Sequence, residues 1–517
     1  MNHDIIWLIL YMKKPFYITN AIPYVNAAPH VGYGLEIVQS DTVARYQRLL
    51  GKDVRYLCGT DENSLKNVQA AEQVGKPVKT FVDEHAAAFF QLKKSLGLSF
   101  DDFIRTTEER HFTGAQTLWS SCNSNDIYKK KYKGLYCVGC ELFYTEDELV
   151  EGLCPEHKKP PQVVEEENYF FKLSNYQKQL EEIIEKDEVQ IIPLFRKEEV
   201  LQFIRGGLQD FSISRSIERA HGWGVPVPGD PDQIMYVWFD ALSNYITALD
   251  YGHAGELYTN YWVQKQQPSR EVVHVIGKGI IRFHAVYWLG MLLSAKIPLP
   301  TTEFVHGYIT VNGEKMSKSV GNVLNPRDVV EAYGTDPVRY FLLGGMSSYH
   351  DSDFSDQRFR EFYTAHLVDG VGNLTSRILT MLEKYSANIV PDQAPDIFSM
   401  EDIWETYHHH FKNYQFDDVI RLLQSFESVC NEVINRKKPW EMAKQGEDVQ
   451  PLLYQLAEAL RHIGIALLPI IPTSAEKILV SLGIDSTQLS TLEEEQTWGG
   501  LKKGAIINKG SILFPRL

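Results

Sequence analysis

The 517 residues exceed what one hydrophobic core usually supports, so the length predicts two to four domains. The composition is that of a globular protein, with 44% hydrophobic and 23% charged residues. The net charge of −15 argues against a protein that coats nucleic acid without sequence preference, because such proteins are basic.

The first residues of the chain are predicted to precede the first domain. Residues 5–10 are apolar but too few to cross a bilayer, and they lack the flanking features of a secretory signal. Met12 and two following lysines resemble a natural start, so we expect residues 1–12 to be an extension. Three of the six cysteines are clustered, which favours a metal site in a reducing compartment. We therefore expect a cytoplasmic protein without a membrane segment.

Strand and helix patterns alternate from residue 16 to about residue 110. Residues 16–19 are typical of a buried strand, the Pro29-His30-Val31-Gly32 element opens a long helical pattern, and residues 54–59 form a second apolar strand. This alternation predicts an α/β fold with a doubly wound, Rossmann-like parallel sheet, whose ligand crevice lies at the carboxyl ends of the strands. His30 then stands at a helix N-terminus, where unpaired amides and the macrodipole favour an anion.

A cysteine-rich insertion, roughly residues 119–233, interrupts this pattern. Two pairs of metal-ligating residues, each with two residues between its members, lie within it: Cys137 with Cys140, and Cys154 with His157. Four such ligands satisfy a tetrahedral Zn²⁺ ion and leave no open position, so the spacing predicts one structural zinc ion. The alternative is four ordinary residues.

The strand pattern resumes with residues 235–239 and 271–276 and leads to a lysine-rich loop. Asn312-Gly313 is a strong signal for a tight hairpin turn, and residues 315–319 follow it as Lys-Met-Ser-Lys-Ser. Two lysines and two serines on such a loop are donors suited to a polyphosphate, although a plain solvated loop is the alternative. This loop and the His30 element, far apart in the chain, together resemble the nucleotide site of a class I aminoacyl-tRNA synthetase.

Helical periodicity takes over from about residue 356 and predicts an α-helical bundle up to the end of the chain. The predicted domain boundaries are residues 1–12 for the extension, 13–118 for the first half of the catalytic domain, 119–233 for the insertion with its zinc knuckle, 234–325 for the second half with the lysine loop, 326–355 for a junction that contacts the tRNA stem, and 356–517 for the helical domain.

Several motifs together resemble one family, the methionyl-tRNA synthetases. The likeness extends from Lys13 over nearly the whole chain and includes the segments 21–26, 29–32, 223–228, 236–241 and 276–278, the zinc knuckle, the lysine loop and the helical tail. The single knuckle with three cysteines and one histidine resembles one bacterial subgroup. The tail stops without the barrel that dimerises some members, so we expect a monomer.

This resemblance implies a methionine–tRNA ligase that first joins L-methionine to ATP as methionyl-adenylate and then transfers the methionyl group to the 3′ end of tRNA(Met). It implies that His30, Lys315 and Lys318 are catalytic and that Mg²⁺ accompanies the ATP. The expected ATP-binding residues are His30, Gly32, Tyr33, Gly277, Lys278, Lys315, Ser317 and Lys318.

The resemblance also implies a methionine pocket. Its expected residues are Ala21, Ile22, Tyr24, Asp61, Trp238, Ala241, Tyr245, Ile280, His284 and Trp288. Aromatic rings pack well against a thioether sulfur, and a buried Asp61 carboxylate needs a cation such as the substrate ammonium. From the residues alone, the aromatic positions suit plain core packing at helical spacing, and Asp61 suits a helix N-cap.

In the helical domain, the resemblance implies that Asn373, Arg377 and Trp440 read the anticodon CAU. Asn373 and Arg377 are four residues apart on one helix face, so their polar edges suit hydrogen bonds to bases, and an indole suits stacking on a splayed base. Each residue taken singly is also typical of a surface or core position.

Three residues depart from the family pattern. Tyr33 and Asn63 stand where most members have histidine, and Gly279 replaces a common acidic residue. These departures predict an altered ATP site, and they keep open a tRNA-binding paralogue with impaired catalysis. A synthetase for another apolar amino acid, such as leucine, isoleucine or valine, is the second alternative, although the short insertion leaves little room for an editing domain.

Overall fold

The computed structural model describes residues 13–137, 139, 142–144, 146–155, 158–263, 270–315 and 323–517. The predicted extension, two of the predicted zinc ligands (Cys140 and His157) and residues 316–319 of the lysine loop, which include Ser317 and Lys318, lie outside the described residues. Lys315 is described through its backbone only.

The strands of the described chain, in chain order, are β1 (Pro15–Asn20), β2 (Asp53–Thr60), β3 (Asp102–Arg105), β4 (Ile127–Cys137), β5 (Leu142–Tyr144), β6 (Gln162–Phe171), β7 (Gln190–Ile192), β8 (Phe211–Ser212), β9 (Ser214–Ser216), β10 (Pro226–Val227), β11 (Asp230–Met235), β12 (Glu271–Gly277), β13 (Thr302–His306), β14 (Ile309–Val311), β15 (Glu314–Lys315) and β16 (Ser352–Phe354).

The α-helices of the described chain are α1 (Val31–Leu49), α2 (Leu65–Gln73), α3 (Val78–Phe90), α4 (Leu92–Ser95), α5 (Glu109–Ser121), α6 (Gln177–Glu185), α7 (Leu194–Arg205), α8 (Val237–Leu242), α9 (Asn244–Thr247), α10 (Glu256–Tyr258), α11 (Leu289–Ser294), α12 (Pro326–Tyr333), α13 (Thr335–Gly344), α14 (Asp356–Phe362), α15 (Asn373–Tyr385), α16 (Met400–Lys412), α17 (Phe416–Lys437), α18 (Pro439–Lys444), α19 (Gln450–Leu467), α20 (Pro472–Ser481) and α21 (Leu492–Glu495). Wider π-helical turns occupy Thr259–Val263, Phe283–Trp288 and Tyr363–Gly372. Within the part of the chain that the structure describes, no helix is long and apolar enough to cross a membrane.

These elements form two compact units, each assembled from separate stretches of chain. The first unit holds the described residues of the ranges 1–29, 54–92 and 100–305. The second holds those of the ranges 30–53, 93–99 and 306–517.

The first unit is built around a six-stranded sheet in the order β3-β2-β1-β12-β13-β7. The pairs β2 with β3, β1 with β12 and β13 with β7 are parallel, and β1 is buried along its whole length, as the apolar run at residues 16–19 predicts. A continuous core of buried side chains includes Tyr17, Leu57 and Ile104 of three strands, together with Leu118 and Trp288. A strand buried on both faces reads as an unbroken apolar run, which explains why periodicity located it.

Residues 235–239 were predicted to form a strand of this sheet, and that prediction is wrong. β11 ends at Met235 and pairs antiparallel with β9 and β10 in a separate three-stranded sheet. Val237–Leu242 is the short helix α8 instead. An apolar run of this length fits a buried strand or a buried helix equally well, so periodicity alone does not separate the two.

The sheet contains one buried carboxyl group without a visible counter-charge. Glu303 on β13 is fully buried, and neither of its carboxyl oxygens has a hydrogen-bond partner among the described residues. Burial raises its pKa from the ordinary 4.5 to about 8, because the charged form would lose its hydration. The folded protein therefore keeps this group protonated over a pH range in which the unfolded chain ionises it.

Replacing Glu303 with glutamine is expected to make the protein less sensitive to alkaline pH. Because the folded pKa is raised, the stability linked to this proton is complete below pH 4.5 and is lost as the pH rises towards 8. Glu303→Gln should therefore gain stability over the parent by about 1.4 kcal/mol per pH unit across that window. Thermal unfolding between pH 5 and 8 measures the difference, with Glu165→Gln on the exposed face of β6 as control. A constant difference at every pH would contradict the expectation.

The insertion forms a second, antiparallel sheet in the order β5-β4-β6-β8. β4 and β6 pair from Ile127 opposite Phe171 to Tyr136 opposite Gln162. Cys137 lies at the end of β4, where β5 joins it.

The second unit contains α1, the lysine-loop hairpin and the helices from α12 onward. Helix α1 is buried over most of its length, and two of its carboxylates are paired within the unit: Glu36 Oε2 lies 2.9 Å from His306 Nε2, and Asp41 Oδ2 lies 2.8 Å from Arg339 Nη1 on α13. The helices α14 to α21 form the predicted helical domain, and α14 begins at Asp356 as expected.

Candidate active site

His30 caps the first helix of the second unit. Its backbone is extended, with φ −122° and ψ 165°, and its Nδ1 accepts hydrogen bonds from the amides of Gly32 at 3.1 Å and Tyr33 at 3.4 Å. An Nδ1 atom that accepts cannot carry a proton, so the proton of the neutral ring sits on Nε2. His30 is exposed, and this Nε2–H is the donor that it offers to a ligand.

The segment after the lysine loop is joined directly to this helix start. The Val31 amide donates to the Leu324 carbonyl oxygen at 2.8 Å. Asn325 caps α12 by accepting from the Arg327 amide, and a side chain in place of Gly34 would come within 3.3 Å of the Pro326 ring. The structure therefore places the segment that follows the lysine loop against the start of α1.

The hairpin in front of the lysine loop has the predicted geometry. β14 and β15 pair antiparallel, with Thr310 opposite Lys315, around a turn in which Asn312 and Gly313 both have positive φ. The Gly313 amide donates to Asp353 Oδ1 at 2.6 Å, and Thr310 Oγ1 donates to the same oxygen at 2.8 Å. These two hydrogen bonds to Asp353 hold the hairpin turn that precedes the lysine loop.

Among the other predicted nucleotide residues, Gly277 and Lys278 belong to the first unit. Gly277 ends β12 and Lys278 begins the 3-10 turn Lys278–Ile280, so both stand at the carboxyl end of a central parallel strand. Gly279 lies in this turn and is exposed. In the second unit, the Tyr33 side chain is buried.

Three residues predicted to bind methionine, Tyr245, His284 and Ile280, are joined by hydrogen bonds. Tyr245 Oη lies 2.7 Å from His284 Nε2, and His284 Nδ1 lies 3.0 Å from the Ile280 carbonyl oxygen. A carbonyl oxygen only accepts, so Nδ1 carries the proton and Tyr245 donates to Nε2. Burial lowers the pKa of His284 to about 4, which keeps the ring neutral. Trp288 meets Tyr245 edge to face, with ring centroids 6.1 Å apart.

A second layer of polar residues orients these rings. Trp288 Nε1 donates to His274 Nε2 at 3.3 Å, and His274 Nδ1 lies 2.8 Å from Thr19 Oγ1. His274 is fully buried, and burial lowers its pKa well below the ordinary value. Sequence reasoning missed His274 and Thr19; the available signal was a polar residue inside each apolar strand.

Other residues predicted to line the methionine pocket are half-buried. Ile22 packs so closely that a Cβ on Gly59 would lie 2.9 Å from its Cγ2. Tyr24 meets Trp238 edge to face at 6.4 Å, and Trp238 stacks on Phe283 at 3.6 Å. Of the remaining two predicted wall residues, Ala21 directly follows β1 and Ala241 lies in α8. The first unit thus brings the predicted methionine residues together.

Asp61 lies beside this wall and is almost fully buried. It forms a β-bridge with Tyr24, and its amide donates to the Pro23 carbonyl oxygen at 2.9 Å. The alternative of a helix N-cap is wrong, because Ser64 caps α2 by accepting from the Lys66 amide. Its carboxylate is therefore not committed to capping that helix.

In the insertion, two predicted zinc ligands are buried together. Cys137 and Cys154 form a small cluster with Tyr144, against which Leu149 packs. Within the described residues, no group of three or more metal-ligating side chains is assembled. The zinc site stays a prediction.

The three predicted anticodon residues all lie in the helical domain. Asn373 begins α15 and is exposed, and Arg377 follows one turn later. Arg377 donates to Asn431 Oδ1 at 2.5 Å and to Asn435 Oδ1 at 2.7 Å, both on α17. Trp440 is half-buried at the start of α18, directly after α17 ends.

Comparison with known proteins shows the family. A model described as tRNA synthetases class I (M) matches residues 16–163 and 156–379, and one described as the anticodon-binding domain of tRNA ligase matches residues 399–504. The chain is 39% identical to the methionine–tRNA ligase of Thermotoga maritima over 516 residues, which covers 97% of this chain and 80% of that protein. The chain belongs to the methionyl-tRNA synthetase family. The chain is also 39% identical to the methionine–tRNA ligase of Brucella suis, and the match covers 94% of this chain and 96% of that protein.

Solved structures of the methionyl-tRNA synthetase family agree with this fold. The Mycobacterium tuberculosis methionyl-tRNA synthetase in complex with methionyl-adenylate matches with a TM-score of 0.90 and 36% identity, over 97% of this chain and 100% of that one. The predicted α/β fold class with a parallel-sheet core and a helical anticodon-binding domain is confirmed.

Proposed function

We propose that this chain is a methionine–tRNA ligase that activates L-methionine with ATP and transfers it to the 3′ end of tRNA(Met). The observation that carries this proposal is the aromatic pocket around Tyr245, His284 and Trp288, whose rings are fixed by hydrogen bonds beside the buried Asp61. The high identity to methionine–tRNA ligases supports the same function.

The pocket recognises methionine at two groups, the thioether of the side chain and the ammonium group. A thioether sulfur gains contact energy at the edges of Trp238, Tyr245 and Trp288, whereas a branched aliphatic side chain does not match rings held at these angles. Asp61 supplies the negative charge for the ammonium group, which offsets the desolvation cost of both charges.

Activation is a displacement at phosphorus that the protein serves by positioning. An oxygen of the methionine carboxylate attacks the α-phosphorus of ATP, and the bond to the oxygen bridging the α- and β-phosphates breaks, so pyrophosphate leaves. His30 donates its Nε2–H to the triphosphate, and Lys315 and Lys318 neutralise the charge that builds on the leaving phosphates. Gly32, Tyr33, Gly277, Lys278 and Ser317 complete the proposed ATP site, with Mg²⁺ on the phosphates. A terminal ribose hydroxyl of the tRNA then attacks the carbonyl carbon, and AMP leaves.

An amino-acid panel in ATP–pyrophosphate exchange tests the proposal. Methionine is expected to support exchange at much lower concentration than leucine, isoleucine or valine. Exchange with leucine but not with methionine would assign the chain to a synthetase for another apolar amino acid. Binding of tRNA without exchange for any amino acid would assign it to an impaired paralogue, as the departures at Tyr33, Asn63 and Gly279 allow.

We further propose one structural zinc ion held by Cys137, Cys140, Cys154 and His157. The burial of Cys137 and Cys154 in one small cluster supports this donor set, since thiolates are soft ligands that need a dry, closed site. A closed shell of four protein ligands leaves no position for substrate, so the ion would support folding of the insertion and not the reaction.

Removal of one zinc ligand is expected to abolish metal binding. The purified chain should contain about one zinc ion per molecule, and Cys154→Ser should contain almost none, because three ligands hold a structural ion weakly. Elemental analysis after gel filtration measures the content. Cys122→Ser, at a buried cysteine outside the set, is the matched control and should keep its zinc. Equal zinc content in both variants would exclude Cys154 as a ligand.

Loss of Arg377 is expected to weaken tRNA recognition without affecting activation. Arg377 sits between Asn431 and Asn435 on the predicted anticodon face with Asn373 and Trp440. Arg377→Ala should raise the KM for tRNA(Met) roughly 10- to 100-fold, which corresponds to one or two lost contacts to bases. Steady-state aminoacylation measures this KM, and pyrophosphate exchange without tRNA should stay unchanged. A parallel loss in both assays would point to a folding defect.

The monomeric state and the cytoplasmic location are also proposals. Light scattering of the purified protein tests the first, and fractionation of the source cells tests the second.

A further inference from the structure

A buried pair joins helix α1 to the residue at which the chain re-enters the second unit. Glu36 lies on α1, nearly two turns after the His30 cap, and its Oε2 is 2.9 Å from Nε2 of His306 at the end of β13. The other ring nitrogen of His306, Nδ1, lies 2.7 Å from the Gly307 carbonyl oxygen. Both side chains of the pair are buried, and the Glu36 carboxylate has no further hydrogen-bond partner among the described residues.

These contacts fix the orientation of the His306 ring. A carbonyl oxygen only accepts, so Nδ1 carries a proton and donates it to Gly307. Nε2 then shares one proton with the Glu36 carboxyl group, whichever of the two side chains holds it. An imidazole held at both nitrogens cannot rotate without breaking a buried hydrogen bond, which is costly because no water replaces the lost partner. Glu36 therefore restrains the backbone at Gly307 through the His306 ring.

The chain beyond Gly307 leads directly to the lysine loop. Gly307 packs so closely against the backbone of His350 that a side chain in its place would clash, and the Tyr308 amide donates to Asp351 Oδ1 at 2.9 Å. β14 follows, pairs with β16 on one side and turns into β15, which ends at Lys315. A continuous set of hydrogen bonds therefore connects the buried pair with the first lysine of the loop.

Helix α1 also holds the chain on the other side of the loop. The Val31 amide, in the first turn of α1, donates to the Leu324 carbonyl oxygen at 2.8 Å. The described chain before and after residues 316–322 is thus anchored to the helix whose start carries His30. The anchor after the loop is a backbone hydrogen bond. The anchor before the loop depends on two side chains, so a substitution can remove it selectively.

We propose that Glu36 and His306 are positioning residues for adenylate formation, because they hold the hairpin before the lysine loop in register with His30. The inference rests on the proposed function, in which His30 and Lys315 contact the same triphosphate. Donors from two segments stabilise one transition state only if their separation is fixed, and a displacement of about 1 Å can cost about a hundredfold in rate. Both proposed residues are buried, so they act through the lysine loop and not by contact with substrate.

Paired variants of Glu36 test this role. Glu36→Met keeps the volume and removes the hydrogen bond to His306, whereas Glu36→Gln keeps the hydrogen bond, because its amide can donate to Nε2. Glu36→Met is expected to lower the kcat of ATP–pyrophosphate exchange about 10- to 100-fold and to leave the KM for methionine within about twofold. Glu36→Gln should keep a kcat within about threefold of the parent.

Ser40→Ala is the matched control for the loss of a buried hydrogen bond on the same helix. Ser40 Oγ donates to the Glu36 carbonyl oxygen at 2.9 Å, so this variant disturbs α1 at the same place without touching the His306 ring. Its kcat should equal that of the parent. A Glu36→Met variant with the kcat of the parent overturns the inference, and so does a Glu36→Gln variant that is as slow as Glu36→Met.

A second comparison shows whether the effect passes through the lysines. In a chain that already carries Lys315→Ala and Lys318→Ala, Glu36→Met should slow adenylate formation in single turnovers by less than about threefold, because the donors that it displaces are gone. An undiminished effect of Glu36→Met in that background would show that the pair acts elsewhere, and this also overturns the inference.

His306→Phe covers the case in which Glu36→Met does not fold, as thermal unfolding would reveal. Phenylalanine keeps a planar ring and removes both hydrogen bonds of His306, so this variant should show the same loss of kcat and the same dependence on the two lysines. A folded His306→Phe variant with the kcat of the parent overturns the inference. Failure of the proposed function looks different, because the parent chain itself would then support no exchange with methionine.

Discussion

Replacing His30 with alanine is expected to slow methionine activation about a hundredfold. In the proposed mechanism His30 donates its Nε2–H to the triphosphate, and loss of one such contact in the transition state costs about 3 kcal/mol. The same change removes the helix cap, which is worth about 1 kcal/mol of stability. ATP–pyrophosphate exchange measures the rate, and thermal unfolding measures the stability.

His30→Asn separates these two roles. Asparagine is among the best N-cap residues, so this variant should keep the stability of the parent, but its short amide does not reach where the imidazole does. Its exchange rate should therefore be as low as that of the alanine variant. Recovery of the rate in His30→Asn would show that His30 acts by capping α1 and not by contact with phosphate.

Replacing Glu458 with glutamine is expected to destabilise the protein by about 3 kcal/mol at neutral pH. Glu458 and Arg461 are both fully buried on α19, with Arg461 Nη2 2.7 Å from Glu458 Oε1. The amides of Gly499, Gly500 and Leu501 also donate to the Glu458 carboxylate. Removal of its charge leaves Arg461 buried with Glu495, 3.1 Å away, as its remaining acidic partner.

This loss should depend on pH. Burial alone would raise the pKa of Glu458. The hydrogen bond from His462 and the charge of Arg461 outweigh this effect and lower the pKa from the ordinary 4.5 to about 2. The carboxylate therefore contributes stability that is complete above pH 4.5 and is lost as the pH falls towards 2. Thermal unfolding of Glu458→Gln and the parent should differ most at pH 7, and the difference should shrink below pH 4.5 as the pH falls towards 2. Asp418→Asn, which breaks an exposed pair with Arg421, should cost less than about 1 kcal/mol.

The elements that sequence reasoning located are those whose cause is local. The apolar run of β1, the long helix after His30 and the Asn312-Gly313 turn each depend on neighbouring residues, and the structure confirms all three. Residues 235–239 were assigned wrongly because a short apolar run does not reveal its partner.

The hydrogen bonds among Asn63, Asp240 and His111 could not be predicted from the sequence, for a different reason. His111 and Asp240 meet across 129 positions of the chain, and Asn63 and Asp240 across 177. No local pattern marks either pair, and each residue alone is typical of a surface or a cap. From the sequence, Asn63 was noted only as a departure from the family pattern. In the structure its side-chain nitrogen donates hydrogen bonds to two partners.

The interleaving of the two units limits how genes of this family can recombine. Each unit draws on three separate stretches of chain, and helix α1 lies among the residues of the second unit although it is encoded near the start. A hybrid made by one exchange at residue 305 would combine Glu36 and Asp41 of one parent with His306 and Arg339 of the other. Functional hybrids should therefore require α1 to be inherited together with the carboxyl-terminal half.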